Sequence, residues 1–258
     1  MSAASLVFIT GASSGIGQAL AARYAAAGWR LALVARRGAD MQAWASAQGL
    51  GADRAGVYQA DVAQSDSVIG AAERCMATQG LPDVVIANAG ISVGMDSAER
   101  DDLAVMGDIF ATNNIGLAAT FHPFLRPMRA RGAGTLVGMA SVAAIRGLPG
   151  HAAYCASKAA VVAYCESLRG ECRGQGVRVV TLLPGYIATP LTARNPYPMP
   201  FLMPAERFAD WAFNAISAGS SYSVIPWQMA IVAKLMRALP NPLFDRLAAG
   251  RGRKPRRV

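Results

Sequence analysis

The first thirty residues constrain the fold more than any other part of the chain. The apolar run Leu6-Val7-Phe8-Ile9 is typical of a buried strand, and the alanine-rich stretch from Gly17 to Ala27 has helical composition. A glycine-rich turn, Thr10-Gly11-Ala12-Ser13-Ser14-Gly15-Ile16-Gly17, lies between them. A strand, a glycine turn and a helix in this order predict the first unit of an α/β fold with a parallel sheet.

The three glycines of this turn have distinct expected uses. Gly11 permits a tight turn, Gly15 lets the backbone approach a phosphate closely, and Gly17 allows the helix to pack near the strand. The N-terminus of the following helix offers free N–H groups to an anion. The turn therefore predicts a site for the pyrophosphate of a dinucleotide.

The rest of the chain repeats the alternation of apolar strands and helical segments. Strands are predicted near 5–10, 30–35, 56–60, 83–87, 134–139, 177–182 and 222–226. Hydrophobic residues make up 53% of the 258 residues, which fits a sheet covered on both faces. No linker is visible, so we expect one Rossmann-type domain over residues 1–250, a doubly wound parallel seven-stranded sheet with helices on both faces.

Tyr154 and Lys158 are four residues apart and would share one face of a helix. An ammonium beside a phenol stabilises the phenolate and lowers the phenol's pKa from its ordinary value near 10. Such a tyrosine can exchange a proton at neutral pH. Taken alone, a pair with this spacing is more often a solvated surface pair.

Several motifs in one order strengthen the catalytic interpretation of that pair. They are the glycine turn, Asp61 after a strand, Asn88-Ala89-Gly90, Asn113, Ser141, Tyr154, Lys158 and Pro184-Gly185. These motifs resemble the short-chain dehydrogenase/reductase family in their order and spacing. The resemblance extends from about residue 5 to about residue 190. The resemblance implies hydride transfer between a nicotinamide cofactor and a carbonyl or secondary alcohol.

The resemblance also implies a role for each catalytic residue. Tyr154 would be the general acid in reduction and the base in oxidation, and Ser141 would hydrogen-bond the reacting oxygen. Lys158 would bind the ribose hydroxyls and lower the Tyr154 pKa. Asn113 would organise a water that relays protons to Lys158. Its neighbour Asn114 is the alternative, although a family-like Asn-x-x-Gly spacing favours Asn113.

The same resemblance implies a cofactor site. Asp61 would hydrogen-bond the adenine with Val62 alongside, or else would be a helix N-cap for the segment that follows. Thr189 would contact the carboxamide or the pyrophosphate. The full expected set is Gly11, Ser13, Ser14, Gly15, Ile16, Gly17, Arg36, Arg37, Asp61, Val62, Asn88, Ala89, Gly90, Tyr154, Lys158, Pro184, Gly185, Ile187 and Thr189.

The end of the second predicted strand distinguishes the two nicotinamide cofactors. An acidic side chain there would pair with a free ribose 2′-OH and repel a phosphate. The chain instead has Ala35-Arg36-Arg37, which offers guanidinium groups to a 2′-phosphate. We therefore expect NADP(H), with Arg36 as the main ligand. A solvated arginine pair is the alternative interpretation.

The substrate side is less informative. Residues 190–204 fall where the family has a substrate lid, and their apolar side chains predict a hydrophobic carbonyl or alcohol substrate. Packing of these side chains on the C-terminal segment is an equal alternative. His151 either borders the substrate pocket or has no role. The four cysteines lack metal or redox spacing, so no metal site is expected.

The C-terminal segment departs most from the family pattern. An apolar helical segment is expected at 227–249, and 251–258 should be a basic, disordered tail. Six of the 25 basic residues lie between positions 246 and 258, so docking on an anionic membrane surface is the alternative. Specific nucleic-acid binding is not expected, because charge without a reading element gives only non-specific attraction.

Three functions are consistent with these patterns. The first is an NADP(H)-dependent reductase or dehydrogenase acting on a small-molecule substrate. The second is a membrane-surface enzyme acting on lipid, and the third is a non-catalytic NADP(H)-binding regulator. No signal peptide is visible, which favours the cytoplasm. Family members are commonly dimers or tetramers, and the resemblance places that interface on the helix of Tyr154 and on residues 102–130.

Overall fold

The computed structural model describes residues 4–250 and 252–256 of the chain. The strands in this part are β1 (Leu6–Thr10), β2 (Arg30–Ala35), β3 (Ala55–Gln59), β4 (Val84–Ala87), β5 (Gly134–Met139), β6 (Val177–Pro184), β7 (Ile187–Ala188), β8 (Met203–Pro204) and β9 (Tyr222–Ile225). The helices are α1 (Gly15–Ala26), α2 (Gly38–Ala47), α3 (Ser65–Gln79), α4 (Asp102–Phe110), α5 (Gly116–Arg131), α6 (Ala152–Glu171), α7 (Ala205–Ser217), α8 (Trp227–Ala238) and α9 (Asn241–Ala249).

Seven of these strands form one parallel sheet in the order β3-β2-β1-β4-β5-β6-β9. The predicted Rossmann-type fold is confirmed, and each predicted strand lies within two residues of an observed one. The strands β2 and β3 follow one another outward on one side of β1. The chain then returns to β1, and β4, β5, β6 and β9 follow one another outward on its other side. This reversal leaves a crevice at the carboxyl ends of the strands, where ligands bind in open α/β sheets.

The core consists of two main apolar layers, one on each face of the sheet. In β1, Val7 and Ile9 pack into the layer that contains Phe208, while Leu6 and Phe8 face the layer that contains Phe124. Every residue of β1 is buried. Strands covered by helices on both faces need continuous apolar runs, which is why the sequence pattern predicted them well.

The C-terminal end differs from the predicted disordered tail. Residues 252–256 return to the body of the protein, where Arg256 forms a parallel bridge with Gly94. Its guanidinium Nε also lies 2.7 Å from the Asp102 carboxylate at the start of α4. Basic composition predicted solvation, but a buried carboxylate supplies the partner. Residues 251, 257 and 258 lie outside the described residues, whose helices are too short or too polar to cross a membrane.

Candidate active site

A cleft of about 980 Å³ opens at the carboxyl edge of the sheet. This volume is at the upper end of ordinary ligand sites. The predicted residues that line it are Gly11, Ser13, Ser14, Gly15, Ile16, Arg36, Arg37, Asp61, Val62, Asn88, Ala89, Gly90, Ser141, Tyr154, Lys158, Pro184, Gly185, Ile187 and Thr189. Gly17 and Asn113 are the only predicted residues that do not line the cleft.

The glycine turn is shaped by close backbone contacts. Gly11 and Gly15 have φ of +67° and +56°, in the left-handed region that favours glycine. A Cβ on Gly17 would lie 2.2 Å from the Gly11 carbonyl oxygen, so α1 could not pack against the turn with any side chain there. The Thr189 side chain lies over Gly15, where an added Cβ would be 3.1 Å away. The turn and the loop after β6 therefore face each other across the cleft.

The N-terminus of α1 suits an anion. Its N-cap, Ser14, has an extended backbone and makes no side-chain capping hydrogen bond, and the first turn contains no acidic residue. The amides of this turn lack intrahelical acceptors, and the helix dipole favours negative charge beside them. The residues present therefore fit a dinucleotide pyrophosphate.

The two arginines after β2 differ in their contacts. Arg37 donates to the Ser13 hydroxyl at 3.2 Å and pairs with Asp40 at 3.3 Å. Arg36 is exposed at the cleft. No carboxylate of the described residues pairs with its guanidinium. The nearby Asp40 carboxylate is thus engaged by Arg37, and Arg36 remains available to a phosphate.

Asp61 has a local structural role as well as a place in the cleft. Its Oδ1 accepts a hydrogen bond from the Ala63 amide at 3.0 Å, and its own amide donates to the Ser67 hydroxyl at 3.2 Å. The N-cap of α3 is Gln64, so the alternative that Asp61 caps this helix is wrong. The carboxylate instead accepts a hydrogen bond from the amide two residues later. Aspartate commonly forms this kind of turn just before a helix.

Tyr154 and Lys158 share one face of α6, as their spacing predicted. Lys158 is buried, and its Nζ donates to the Met139 carbonyl at 2.8 Å. The same Nζ lies 5.9 Å from the centroid of the Tyr154 ring. Ser141 follows β5 and its hydroxyl accepts from the Ala143 amide at 3.2 Å, which fixes the hydroxyl at the mouth of the cleft.

Burial dominates the protonation of this group. Desolvation raises the pKa of Tyr154 to about 12, although the Ser141 hydroxyl beside it acts in the opposite direction. Burial also lowers the pKa of Lys158 to about 8. The loss of hydration at the phenol is the largest influence on the Tyr154 pKa, and the spacing of Tyr154 and Lys158 along the chain did not indicate it.

Asn113 lies in a π-helical turn, Ala111–Ile115, that interrupts the path from α4 to α5. Its side chain accepts from the Ile91 amide at 2.9 Å and donates to the Ile91 carbonyl at 3.0 Å and to Ser157 at 3.0 Å. A Cβ on Gly90 would lie 3.2 Å from Asn113 Oδ1 and 3.4 Å from Lys158 Nζ. Asn113 is therefore behind Gly90, close to the buried lysine.

The neighbouring Asn114 points elsewhere. Its Nδ2 donates to the Ser157 carbonyl at 2.8 Å, and it is absent from the lining of the cleft. Both asparagines thus brace α6 against the π turn, and Asn113 is the one near Lys158. Such turns often occur at functional sites because they leave a backbone group without its regular helical partner.

A second pocket adjoins the cleft and shares Ser141 and Tyr154 with it. Sequence reasoning missed much of its lining. The missed residues include Arg146, Leu148, Met229, Val232, Met236 and Lys254. The methionines and the valine follow one face of α8 at spacings of three and four, which is a signal that the sequence contained.

The predicted lid, residues 190–204, contributes Leu191, Thr192, Asn195, Tyr197 and Pro200 to the pocket lining. Other apolar side chains of the lid lie outside the pocket: Met203 is buried in the core, and Phe201 and Leu202 are about half exposed. His151 also lines the pocket, as the first of its two interpretations predicted. The apolar lining therefore comes from α8, the loop after β5 and the lid together.

His151 and Tyr197 connect the lid to α6. The Nδ1 of His151 lies 3.1 Å from the Pro149 carbonyl, and its Nε2 lies 3.1 Å from the Tyr197 hydroxyl. Since a carbonyl only accepts, Nδ1 carries the proton and Nε2 accepts from the tyrosine. Among the described residues no cluster of potential metal ligands occurs, and the four cysteines are buried free thiols.

Comparisons with known proteins agree with this geometry. Residues 5–197 match the short chain dehydrogenase family. An uncharacterized oxidoreductase of Myxococcus xanthus is 41% identical over 244 residues, which cover 93% of this chain and 94% of that protein. The galactitol 2-dehydrogenase (L-tagatose-forming) of Cereibacter sphaeroides is 38% identical over 188 residues, 72% of either chain.

Solved structures show the same likeness. A short-chain type dehydrogenase/reductase from Mycobacterium marinum has a TM-score of 0.76 and 30% identity, and the likeness covers 86% of this chain and 93% of that one. Levodione reductase has a TM-score of 0.78 and 25% identity, covering 88% and 98%. The chain therefore belongs to the short-chain dehydrogenase/reductase family and is an oxidoreductase that acts on alcohol or carbonyl groups.

Proposed function

We propose that the protein is an NADP(H)-dependent oxidoreductase that transfers hydride between the nicotinamide and a carbonyl or secondary alcohol of a largely apolar substrate. One observation carries this proposal. Ser141 and Tyr154 line both the long cleft and the adjoining apolar pocket. A reacting oxygen in the pocket would thus meet both hydroxyls while a cofactor occupied the cleft.

The cleft supports NADP(H) over NAD(H). The N-terminus of α1 offers backbone donors to the pyrophosphate, and the Arg36 guanidinium is available to a 2′-phosphate. Asp61 and Val62 would contact the adenine, and Asn88-Ala89-Gly90 would form the floor. When bound, the nicotinamide supplies hydride in reduction and accepts it in oxidation.

Residues of the chain itself would transfer the proton that accompanies the hydride. In reduction the Tyr154 hydroxyl donates its proton to the carbonyl oxygen as hydride adds to the carbonyl carbon. The Ser141 hydroxyl hydrogen-bonds the same oxygen, where negative charge develops. The cationic form of Lys158 stabilises the resulting phenolate, and solvent protons return through the neighbourhood of Asn113 and Lys158.

The cofactor test is a fluorescence titration with NADPH and NADH. We expect NADPH to bind at least about tenfold more tightly than NADH, with Arg36→Ala removing most of the difference and Arg169→Ala, a change on the exposed end of α6, removing none. Equal binding of both cofactors by the wild-type protein would disprove the NADP(H) preference.

The activity test follows NADPH consumption with aldehydes and ketones of rising chain length. Tyr154→Phe should lose about 10²- to 10⁴-fold in kcat/KM while NADPH still binds. Turnover that survives this substitution would refute the role of Tyr154. NADPH binding without any turnover would favour the non-catalytic regulator.

Self-association is the expected assembly. Leu103, Met106 and Ile115 are exposed on α4 and the π turn, and Tyr164 is exposed on α6. Apolar side chains gathered on neighbouring helices are typical of a subunit interface. A homodimer or homotetramer through this face should appear in light scattering, and Leu103→Glu should shift the protein toward monomer.

A membrane-surface enzyme is the second candidate, because Trp227, Ile231 and Leu235 form an exposed apolar stripe on α8. Against it, two of the basic residues of the C-terminal tail are paired with carboxylates. Vesicles containing anionic lipid provide the test. Sedimentation with such vesicles that is lost in Trp227→Ser with Leu235→Ser would favour this candidate.

A further inference from the structure

The described C-terminal residues 252–256 form a strap across the rim of the substrate pocket. The Gly94 amide donates to the Pro255 carbonyl at 3.1 Å, and Gly94 is bridged to Arg256. A Cβ on Gly94 would lie 2.0 Å from the Lys254 carbonyl oxygen, so the strap can approach only a glycine at this position. The strap is therefore packed against the body of the protein by its backbone.

Two cations of the strap are paired with carboxylates. Arg256 Nε lies 2.7 Å from Oδ2 of Asp102, whose side chain is 2% exposed, and Arg256 Nη2 lies 3.8 Å from Glu99. Arg253 Nη1 lies 3.7 Å from Asp96. These acids belong to one segment, the start of α4 and the loop before it. The pairs turn both guanidinium groups away from the pocket.

The third cation, Lys254, faces the pocket instead. It lines the pocket, and its Nζ donates to the Leu191 carbonyl at 3.2 Å. Within the described residues no carboxylate lies within ion-pair distance of this ammonium. An ammonium has three donors, so two remain for another acceptor. Lys254 is half-buried, and this burial lowers the pKa of its ammonium.

No other group of the pocket neutralises Lys254. The pocket lining contains no aspartate or glutamate. Its one other cation, Arg146, is already engaged by the carbonyls of Met236 and Leu239 and by the Asn241 side chain, and it stacks over the Phe244 ring. Arg146 therefore anchors α8 and α9 with three of its five N–H donors, whereas the Lys254 ammonium contacts a single carbonyl.

We propose that Lys254 binds an anionic group of the substrate, so that the substrate is a carbonyl or alcohol compound with an apolar body and a carboxylate or similar oxyanion at its far end. The inference rests on the proposed function, because it assigns the other end of the same substrate. It also refines the expected substrate from purely hydrophobic to amphipathic. The apolar residues of α8 would hold the body between Tyr154 and Lys254.

The first experiment measures binding and needs no turnover. Octanoate and octanamide, alike in shape and different in charge, are titrated by calorimetry into the protein with NADP⁺ present. We expect the carboxylate to bind more tightly, and Lys254→Gln to weaken octanoate about tenfold to a hundredfold while octanamide is unchanged. Lys234→Gln, an exposed lysine of α8, is the matched control and should change neither.

The second experiment measures kcat/KM with straight-chain oxo acids of rising length and with their methyl esters. Selection for the acid that Lys254→Gln abolishes, and Lys254→Arg retains in part, supports the inference. If acid and ester are reduced equally, or if Lys254→Gln lowers both alike, the inference is wrong while the proposed reductase stands. Selective octanoate binding without turnover of any compound would support the anion site and overturn the reductase.

Discussion

The cofactor side and the substrate side of the active site are built in different ways. The cofactor side, from β1 to the loop after β6, uses backbone geometry: left-handed glycines, a helix N-terminus and strand ends. The substrate side uses side chains from α8, the lid and the C-terminal strap. Short motifs encode the first kind of site, whereas the second depends on segments far apart in sequence.

This difference has a physical cause. A phosphate-binding turn requires particular φ values and close approaches that only certain residues allow, so its sequence is recognisable. An apolar pocket requires only suitable side chains from elements that fold together, and many sequences satisfy that requirement. Substitutions should therefore act on the two sides in different ways.

The largest effect is expected on the cofactor side, from Gly17→Ala. The added Cβ would lie 2.2 Å from the Gly11 carbonyl oxygen. Neither α1 nor the glycine turn can shift to relieve this clash without a large cost in free energy. We expect a loss of about 3 kcal/mol of folding free energy, roughly 10 °C in Tm, together with NADPH binding. Thermal denaturation and NADPH titration provide the measurement.

Gly107→Ala is the matched control. Gly107 also lies within a helix, α4, but an added Cβ there meets nothing within 4 Å. Alanine should leave the protein equally stable or add up to about 1 kcal/mol. If Gly17→Ala and Gly107→Ala behaved alike, backbone crowding would not explain the glycine turn.

The next effect concerns pH and Lys158. Its pKa of about 8 means that the ammonium is present below pH 8 and lost above it, while burial keeps Tyr154 protonated up to about pH 12. Carbonyl reduction should therefore fall about tenfold per pH unit above 8. Initial rates at saturating NADPH measure it. Lys158→Arg should move this fall to higher pH, because a guanidinium stays charged; an unshifted profile would point to another group.

On the substrate side, Arg256→Gln should release the strap without harming the cofactor cleft. The substitution leaves the buried Asp102 carboxylate without its cation. We expect the Gly94 amide, which donates to the Pro255 carbonyl of the strap, to exchange with deuterium about tenfold faster, and KM to rise, with NADPH affinity unchanged. Arg253→Gln, which removes a looser pair at 3.7 Å, is the control. Weakened NADPH binding would mean that the two sides are coupled.

Acid should release the strap in the wild-type protein too. Arg256 and the Asp96 amide hold the pKa of the Asp102 carboxyl below its ordinary value. A carboxyl with a lowered pKa contributes stability above its ordinary pKa, and this contribution is lost as the pH falls through the lowered one. The protection factor of the Gly94 amide, which donates to the Pro255 carbonyl, should fall as the pH is lowered while those of the β1 amides stay unchanged; hydrogen exchange measures this release.

The smallest effect is expected from Tyr197→Phe. It removes the hydrogen bond to His151 Nε2 but keeps the ring beside the pocket. A neutral hydrogen bond of this kind contributes about 0.5–1.5 kcal/mol, so KM should rise about twofold to tenfold with kcat nearly constant. Steady-state kinetics provide the measurement. A drop in kcat alone would instead place Tyr197 in the chemical step.

Much of the fold was predictable because its signals are local. Apolar runs located the strands of the main sheet, and Tyr154 and Lys158 were correctly assigned to one helix face. The pKa of Tyr154 was not predictable, since its direction depends on how much water surrounds the phenol. The docked strap was missed for a similar reason: basic composition indicates solvation unless a buried acid is close in space.

The sequence by itself determined the strands of the sheet, the glycine turn and the family, because each is recognised from short motifs whose residues lie a few positions apart. Only the tertiary structure decided which side chains line the substrate pocket and which strap cation faces it. Arg253 and Arg256 meet carboxylates that precede them by about 150 residues, and Lys254 between them does not. Charge pairing depends on distance in space, which the order of residues along the chain does not specify.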